Sequence, residues 1–146
     1  MTSNALDGER RAVNYEAIAH AVFTSPQIAS VGRTTAALDD DAVAYEVGRA
    51  SYDEAPLGLV SQADGFVKVL ADSDDGSILG CHVVGPHASV LIHEVAVAMT
   101  AGSGTVNDVV EAVHVHPALN EVVLAAFDKL ATVPYTSPPD WSSVDH

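Results

Sequence analysis

Phe66-Val67-Lys68-Val69-Leu70-Ala71-Asp72-Ser73-Asp74-Asp75-Gly76-Ser77-Ile78-Leu79-Gly80-Cys81-His82-Val83-Val84 is the stretch that decides the fold class of this chain. Two apolar runs, Phe66 to Leu70 and Ile78 to Val84, flank a segment of aspartate, serine and glycine. Such residues reverse a chain readily: short polar side chains accept from nearby backbone N–H groups, and glycine accepts conformations closed to others. The pattern therefore predicts an antiparallel hairpin. Just beyond it Gly85-Pro86 interrupts, and the hydrophobic period changes. Val90, Leu91, Glu94, Val95, Ala98 and Met99 recur at helical spacing through about Thr100.

Working outward, His20 to Thr24 predicts a short strand stopped by Ser25-Pro26, since proline cannot donate to a ladder. Thr34 to Leu38 predicts a short helix before the exposed Asp39-Asp40-Asp41 turn, and Val43 to Ala50 predicts another strand, ended by the Ala55-Pro56-Leu57-Gly58 break. On the C-terminal side, Gly102-Ser103-Gly104 closes the long helix. Val106 to Val113 and Pro117 to Ala131 predict two further helices. Strands gathered early and helices gathered late define an α+β fold: a mixed, mainly antiparallel sheet with helices packed on one face. The organisation expected is a linker or remnant of a preceding domain over residues 1–19, a single domain over 20–133, and a loop-like tail over 134–146.

The chain has 146 residues, 48% of them hydrophobic, enough for one ordinary core. Twenty acidic residues oppose six basic ones, for a net charge of -14. Nucleic acid is excluded as a partner by that balance. A carboxylate-rich, lysine-poor surface suits concentrated salt, which screens its self-repulsion, so a halophilic source is expected. Cys81 is the one cysteine. With no intrachain disulfide possible, a cytoplasmic setting and a role as a small buried hydrophobe are expected for it. No run of about 18 apolar residues exists, so no membrane association is expected.

Chemistry concentrates in His114-Val115-His116-Pro117-Ala118-Leu119-Asn120-Glu121. Pro117 suits a first helical position, where its missing N–H costs nothing, which places His116 just outside a helix and Glu121 one turn inside. Helical side chains lean toward the N-terminus, so the Glu121 carboxylate can hold one ring nitrogen of His116 as a donor and leave the other free as a base. Histidine suits general acid–base work because its ordinary pKa lies near neutrality. Two imidazoles and a carboxylate (His114, His116, Glu121) could also ligate a metal. Pro117 and the helical pattern after it argue against a strand-borne metal site, and none is expected. His93-Glu94 lacks the second histidine of a zincin helix, position 97 being Val97, and His20, His82 and His87 stand singly. The chain has no Gly-x-Gly-x-x-Gly, no P-loop, no second cysteine and no Gly-x-Ser-x-Gly. It holds a base with nothing of its own to activate.

Three segments, in order and spacing, resemble the C-terminal dimerisation (interface) domain of class I pyridine nucleotide–disulfide oxidoreductases, most similar to dihydrolipoamide dehydrogenase. They are Val22-Phe23-Thr24-Ser25-Pro26-Gln27-Ile28-Ala29-Ser30-Val31-Gly32, with Gln27 where the family usually has glutamate, then Gly80 to Ala88 followed by Leu91-Ile92-His93-Glu94, and the His114 to Glu121 segment. The resemblance runs from about His20 to Ala131. It implies a homodimer in which His116 is the catalytic base offered to the partner subunit's disulfide and flavin, Glu121 polarises it, and the main chain at His116 and Pro117 touches the flavin. His114 is expected to be a structural neighbour. FAD and NAD(P) belong to the complete enzyme, their domains being supplied in cis or by another chain. Bound cofactor and turnover are not expected of this chain alone. Alternative readings are the interface domain of a low-molecular-weight thiol disulfide reductase, of the glutathione, mycothione or bis-γ-glutamylcystine kind, and a stand-alone dimerising adaptor.

Overall fold

Every strand of the sheet pairs antiparallel, in the order β1-β2-β5-β4-β3. The strands are β1 (His20–Val22), β2 (Ile28–Gly32), β3 (Tyr45–Ser51), β4 (Phe66–Asp72) and β5 (Ile78–Val84). The computed structural model describes Tyr15 and residues 17–130; most of the expected linker and the whole of the 134–146 tail lie outside the described residues. The predicted hairpin is present: Val67 faces Val83 and Val69 faces Cys81. Its turn is held by Asp72, whose Oδ1 accepts from the Asp74 N–H at 2.8 Å. The sheet is antiparallel throughout its described pairs, with no parallel member, because each neighbouring pair is joined by a reversal of the chain or by a crossover that returns from the opposite end.

Alternation along the strands places Ala29, Val31, Ala50, Val67, Val69, Cys81 and Val83 in one buried cluster. Helix α3 (Ala88–Ala101) lies over β2 and β5, and α5 (Glu121–Phe127) over β3 and β4. They contribute Leu91, Ile92, Val95, Val122, Val123 and Phe127 to the same core. Cys81 is fully buried, and burial with the nearby Glu94 charge pushes its thiol up to about 12, which makes it an inert packing residue.

The helices depart from the sequence reading at their ends. The first, α1, runs Thr35–Asp40, and Thr34 caps it by accepting from the Ala37 N–H at 3.2 Å. Where the sequence suggested only a break, a 3-10 turn (Tyr52–Glu54) leads into α2 (Pro56–Val60), with Pro56 at its first turn. The helix expected over Val106 to Val113 is confined to α4 (Asn107–Val110). There the chain turns away to clip the hairpin: Ile78 N–H donates to Gly104 O at 2.8 Å and Val106 N–H to Gly76 O at 3.0 Å. The helix expected from Pro117 to Ala131 begins only at Glu121 and ends at Phe127.

Two glycines set how the helices sit on the sheet. At Gly48 in β3 a Cβ would come within 2.0 Å of the Ala126 carbonyl oxygen, so only glycine lets α5 lie against that strand. At Gly85, with φ of 147°, a Cβ would strike the Tyr52 ring at 2.6 Å. Tyr52 is fully buried, and its hydroxyl donates to Pro86 O at 3.0 Å. It thus fixes the bend between β5 and α3.

Candidate active site

Residues 112 to 120 connect α4 to α5 without regular structure and carry two histidines, each with its own carboxylate. His116 Nδ1 and Glu121 Oε1 are 2.8 Å apart. Glu121 is the first residue of α5 rather than a residue one turn inside it, and Pro117 lies four residues ahead in a bend, joined to His116 by a cis peptide. The expected contact forms by another route. Glu121 reaches back along the turn, and its second oxygen accepts from the Ala118 N–H at 2.8 Å. That hydrogen bond closes the Ala118–Asn120 turn, which is the physical reason the helix starts late.

Exposure divides the pair: the His116 side chain is 68% accessible and Glu121 18%. Nδ1 of His116 is engaged by a carboxylate, which can only accept, so this nitrogen donates. Among the described residues Nε2 has no partner and faces outward as an acceptor. The Ala118 N–H and then His116 hold the Glu121 carboxyl below its ordinary value of 4.5. A carboxyl depressed in the folded state stabilises above its ordinary value, and that contribution disappears as pH falls through the folded value. The Ala118 amide resonance is therefore expected to titrate with an inflection below 4.5. An inflection at or above that value would remove the Ala118–Glu121 hydrogen bond from the description.

His114 turns the other way. Nε2 lies 2.5 Å from Glu94 Oε1 on α3, and Nδ1 lies 2.9 Å from Ala112 O, with the side chain only 5% accessible. Both its nitrogens are thus occupied, and the set His114, His116 and Glu121 does not converge. Among the described residues no group of three metal-ligating side chains forms a site. His93 is exposed on α3, whereas the adjacent Glu94 is the partner sequence reasoning missed. No local spacing signals a contact across 20 residues; only the packing of the loop on α3 reveals it. A cleft of about 560 Å³ opens beside this pair, between α2, α3 and the turn before α5, with Leu57, Val90, Leu91, Glu94 and Leu119 in its walls.

A five-stranded antiparallel sheet under two helices, with a histidine–carboxylate pair on an exposed loop, is the α+β architecture of a dimerisation domain. The chain belongs to the pyridine nucleotide-disulphide oxidoreductase dimerisation domain family, whose profile matches residues 18–127. Its relatives include dihydrolipoyl dehydrogenases of Haloferax volcanii, 41% identical over 82% of this chain and 25% of the relative, and of Halobacterium salinarum, 37% identical over 86% and 27%. Among solved structures, LpdA from Mycobacterium tuberculosis is similar at 30% identity and a TM-score of 0.78, covering 88% of this chain and 28% of that one. The HOCl-induced flavoprotein disulfide reductase RclA from Escherichia coli shares the fold at 21% identity and a TM-score of 0.76, over 86% of this chain and 29% of that one. The chain spans about a quarter of the length of the curated relatives it matches. Among the described residues no helix is long and apolar enough to cross a membrane.

Proposed function

We propose that this chain is the dimerisation domain of an FAD- and NAD-linked dithiol oxidoreductase of the dihydrolipoamide type, and that His116 is its acid–base residue. One observation carries the reading: His116 donates from Nδ1 to Glu121 while Nε2 points outward, unpartnered among the described residues. In that state the ring takes a proton from a thiol at Nε2, and the Glu121 carboxylate stabilises the charged ring that results. Thiol–disulfide exchange proceeds through the thiolate, so a base at this point accelerates attack on a disulfide sulfur, and the same proton returns to a leaving thiolate in the reverse direction.

His116 and Pro117 are both exposed on a loop, which suits an edge contact with a flavin held by another domain and not a cradle enclosing it. Bound elsewhere, FAD supplies the electron transfer between dithiol and nicotinamide. This chain's share is the proton, its placement, and the dimer that brings His116 to the partner's disulfide. Residues 20–133 act as the interface unit. The assay is reconstitution: the chain combined with flavin- and nucleotide-binding domains is expected to restore NAD-linked dihydrolipoamide oxidation. A chain that forms a two-fold dimer with those domains yet leaves them inactive would sink the reading.

The setting we infer is a cytoplasm rich in salt, supported by the net charge of -14 and the haloarchaeal relatives. The Debye length falls from about 10 Å at 0.1 M salt to about 3 Å at 1 M, so repulsion among surface carboxylates is screened. The melting temperature is expected to rise steadily with KCl over that range. A melting curve unchanged by KCl would contradict it.

A further inference from the structure

Loop residues that carry a functional side chain need something to hold them, and the segment bearing His116 has little of its own. From Val113 to Pro117 no backbone–backbone hydrogen bond is made among the described residues, and Val113 and Val115 are 100% and 75% exposed. Neither backbone ladder nor apolar burial fixes this stretch. The His114 side chain is its one buried element, and it ends on Glu94 at 2.5 Å.

We propose that Glu94 is a positioning residue for His116, acting through His114, which ties the loop to α3. The proposal rests on the reading of His116 as the acid–base residue. Its geometry is specific. Nε2 lies against the Glu94 carboxylate and Nδ1 against the Ala112 carbonyl, so both edges of the ring are taken up. A ring N–H held against a carboxylate with little solvent around it is a stronger tether than a hydrogen bond between neutral groups. Glu94 in turn sits on the helix that packs on β2 and β5, so the tether ends on the rigid part of the molecule. His116 follows two residues later, between this anchor and the Ala118–Glu121 hydrogen bond. Held on both sides, its ring has one place to stand.

The two histidines then divide the work. His114 is fully occupied and orients; His116 keeps one nitrogen open and exchanges protons. Glu94 acts on the reaction only through where it puts the loop, so it is not a catalytic residue.

Histidine-labelled chain, read by ring nitrogen NMR at neutral pH, tests this. In the unaltered chain His114 is expected to carry a proton on Nε2, directed at Glu94, and His116 a preference for the proton on Nδ1. A His114 ring with no proton on Nε2 overturns the proposal. In Glu94→Ala, His116 is expected to lose its Nδ1 preference, and the Ala118 amide, hydrogen-bonded to Glu121, to exchange at least about tenfold faster. The amides of Val67, Val69 and Cys81 should keep their protection, showing an intact sheet. Should that variant fail to fold, His114→Gln takes its place with the same expected changes. Glu121→Ala, run alongside, separates the two levels of the reading. If Glu121→Ala abolishes the Nδ1 preference and Glu94→Ala does not, the positioning role alone is wrong. If Glu121→Ala leaves the preference intact, the His116–Glu121 pairing itself is wrong.

Discussion

Replacing His116 by glutamine is expected to lower dithiol turnover by about 10²–10⁴-fold in an assembly that supplies the flavin- and nucleotide-binding domains, the range that positioned acid–base groups contribute. Glutamine keeps much of the shape and can still donate to Glu121 Oε1. It cannot take a proton at the position of Nε2, so the thiol must ionise unaided. Because the side chain is exposed and packs little, the substitution should leave the melting temperature and the flavin absorption spectrum close to those of the parent. Single-turnover reduction of the flavin by dihydrolipoamide is the measurement, since it isolates the thiol step from nicotinamide binding. Full-rate reduction in His116→Gln would remove the histidine from the mechanism and leave the domain as an interface alone.

Tyr52→Ala is expected to cost about 3–5 kcal/mol of folding stability, as large aromatic deletions in a close-packed core do. The residue sits where three structural elements meet. Its N–H donates to Gly65 O at 3.1 Å, its ring packs against Gly85, and its hydroxyl donates to Pro86 O. Burial pushes the phenol up to about 12, so it remains a neutral donor across any working pH. Tyr52→Phe retains the ring and leaves only the Pro86 carbonyl short of a donor, for a loss of about 1 kcal/mol. Denaturant midpoints of the two variants, compared with the parent, check both figures. A loss below about 1 kcal/mol for the alanine variant would mean that the β5 to α3 bend does not depend on this side chain.

The consequence reaches the site, because α3 begins at that bend and carries Glu94. Gly48 has the corresponding part for α5, which carries Glu121: any side chain on β3 at that point would push the helix off the sheet. The two carboxylates that engage the histidines are thus placed by close approaches of backbone and ring far from the loop itself.

Much of the fold was legible in the sequence. The β4–β5 hairpin announced itself through an apolar run, a turn of aspartate and glycine and a second apolar run, and α3 through a change of period after Gly85-Pro86. These are local signals, set by which backbone conformations each residue tolerates and by which face must be buried. Helix limits near the site were less legible. Pro117 is an acceptable first helical residue, and Val106 to Val113 is apolar enough for a longer helix than forms. Propensity alone does not register that residues 104 to 106 pair with the hairpin turn, or that Glu121 closes a turn ahead of α5.

His116 and Glu121 could be singled out together because they are close in sequence and chemically matched. Family motifs then gave the pair its context, and the domain profile bears out that context over residues 18–127. Glu94 could not be singled out in the same way. Its partner His114 is 20 positions away, and nothing in either local pattern joins them.

By itself, then, the sequence determined the α+β class, the acidic and lysine-poor surface, the hairpin, the long helix, and the pairing of His116 with Glu121. Those follow from composition and from interactions within a few residues, where geometry is nearly dictated by residue type. Tertiary structure alone decided the strand order, the late start of α5, and the seating of the His114 loop on α3. Each of these depends on which distant surfaces meet, and a histidine ring finds its acceptor only once the core has brought that acceptor within 2.5 Å.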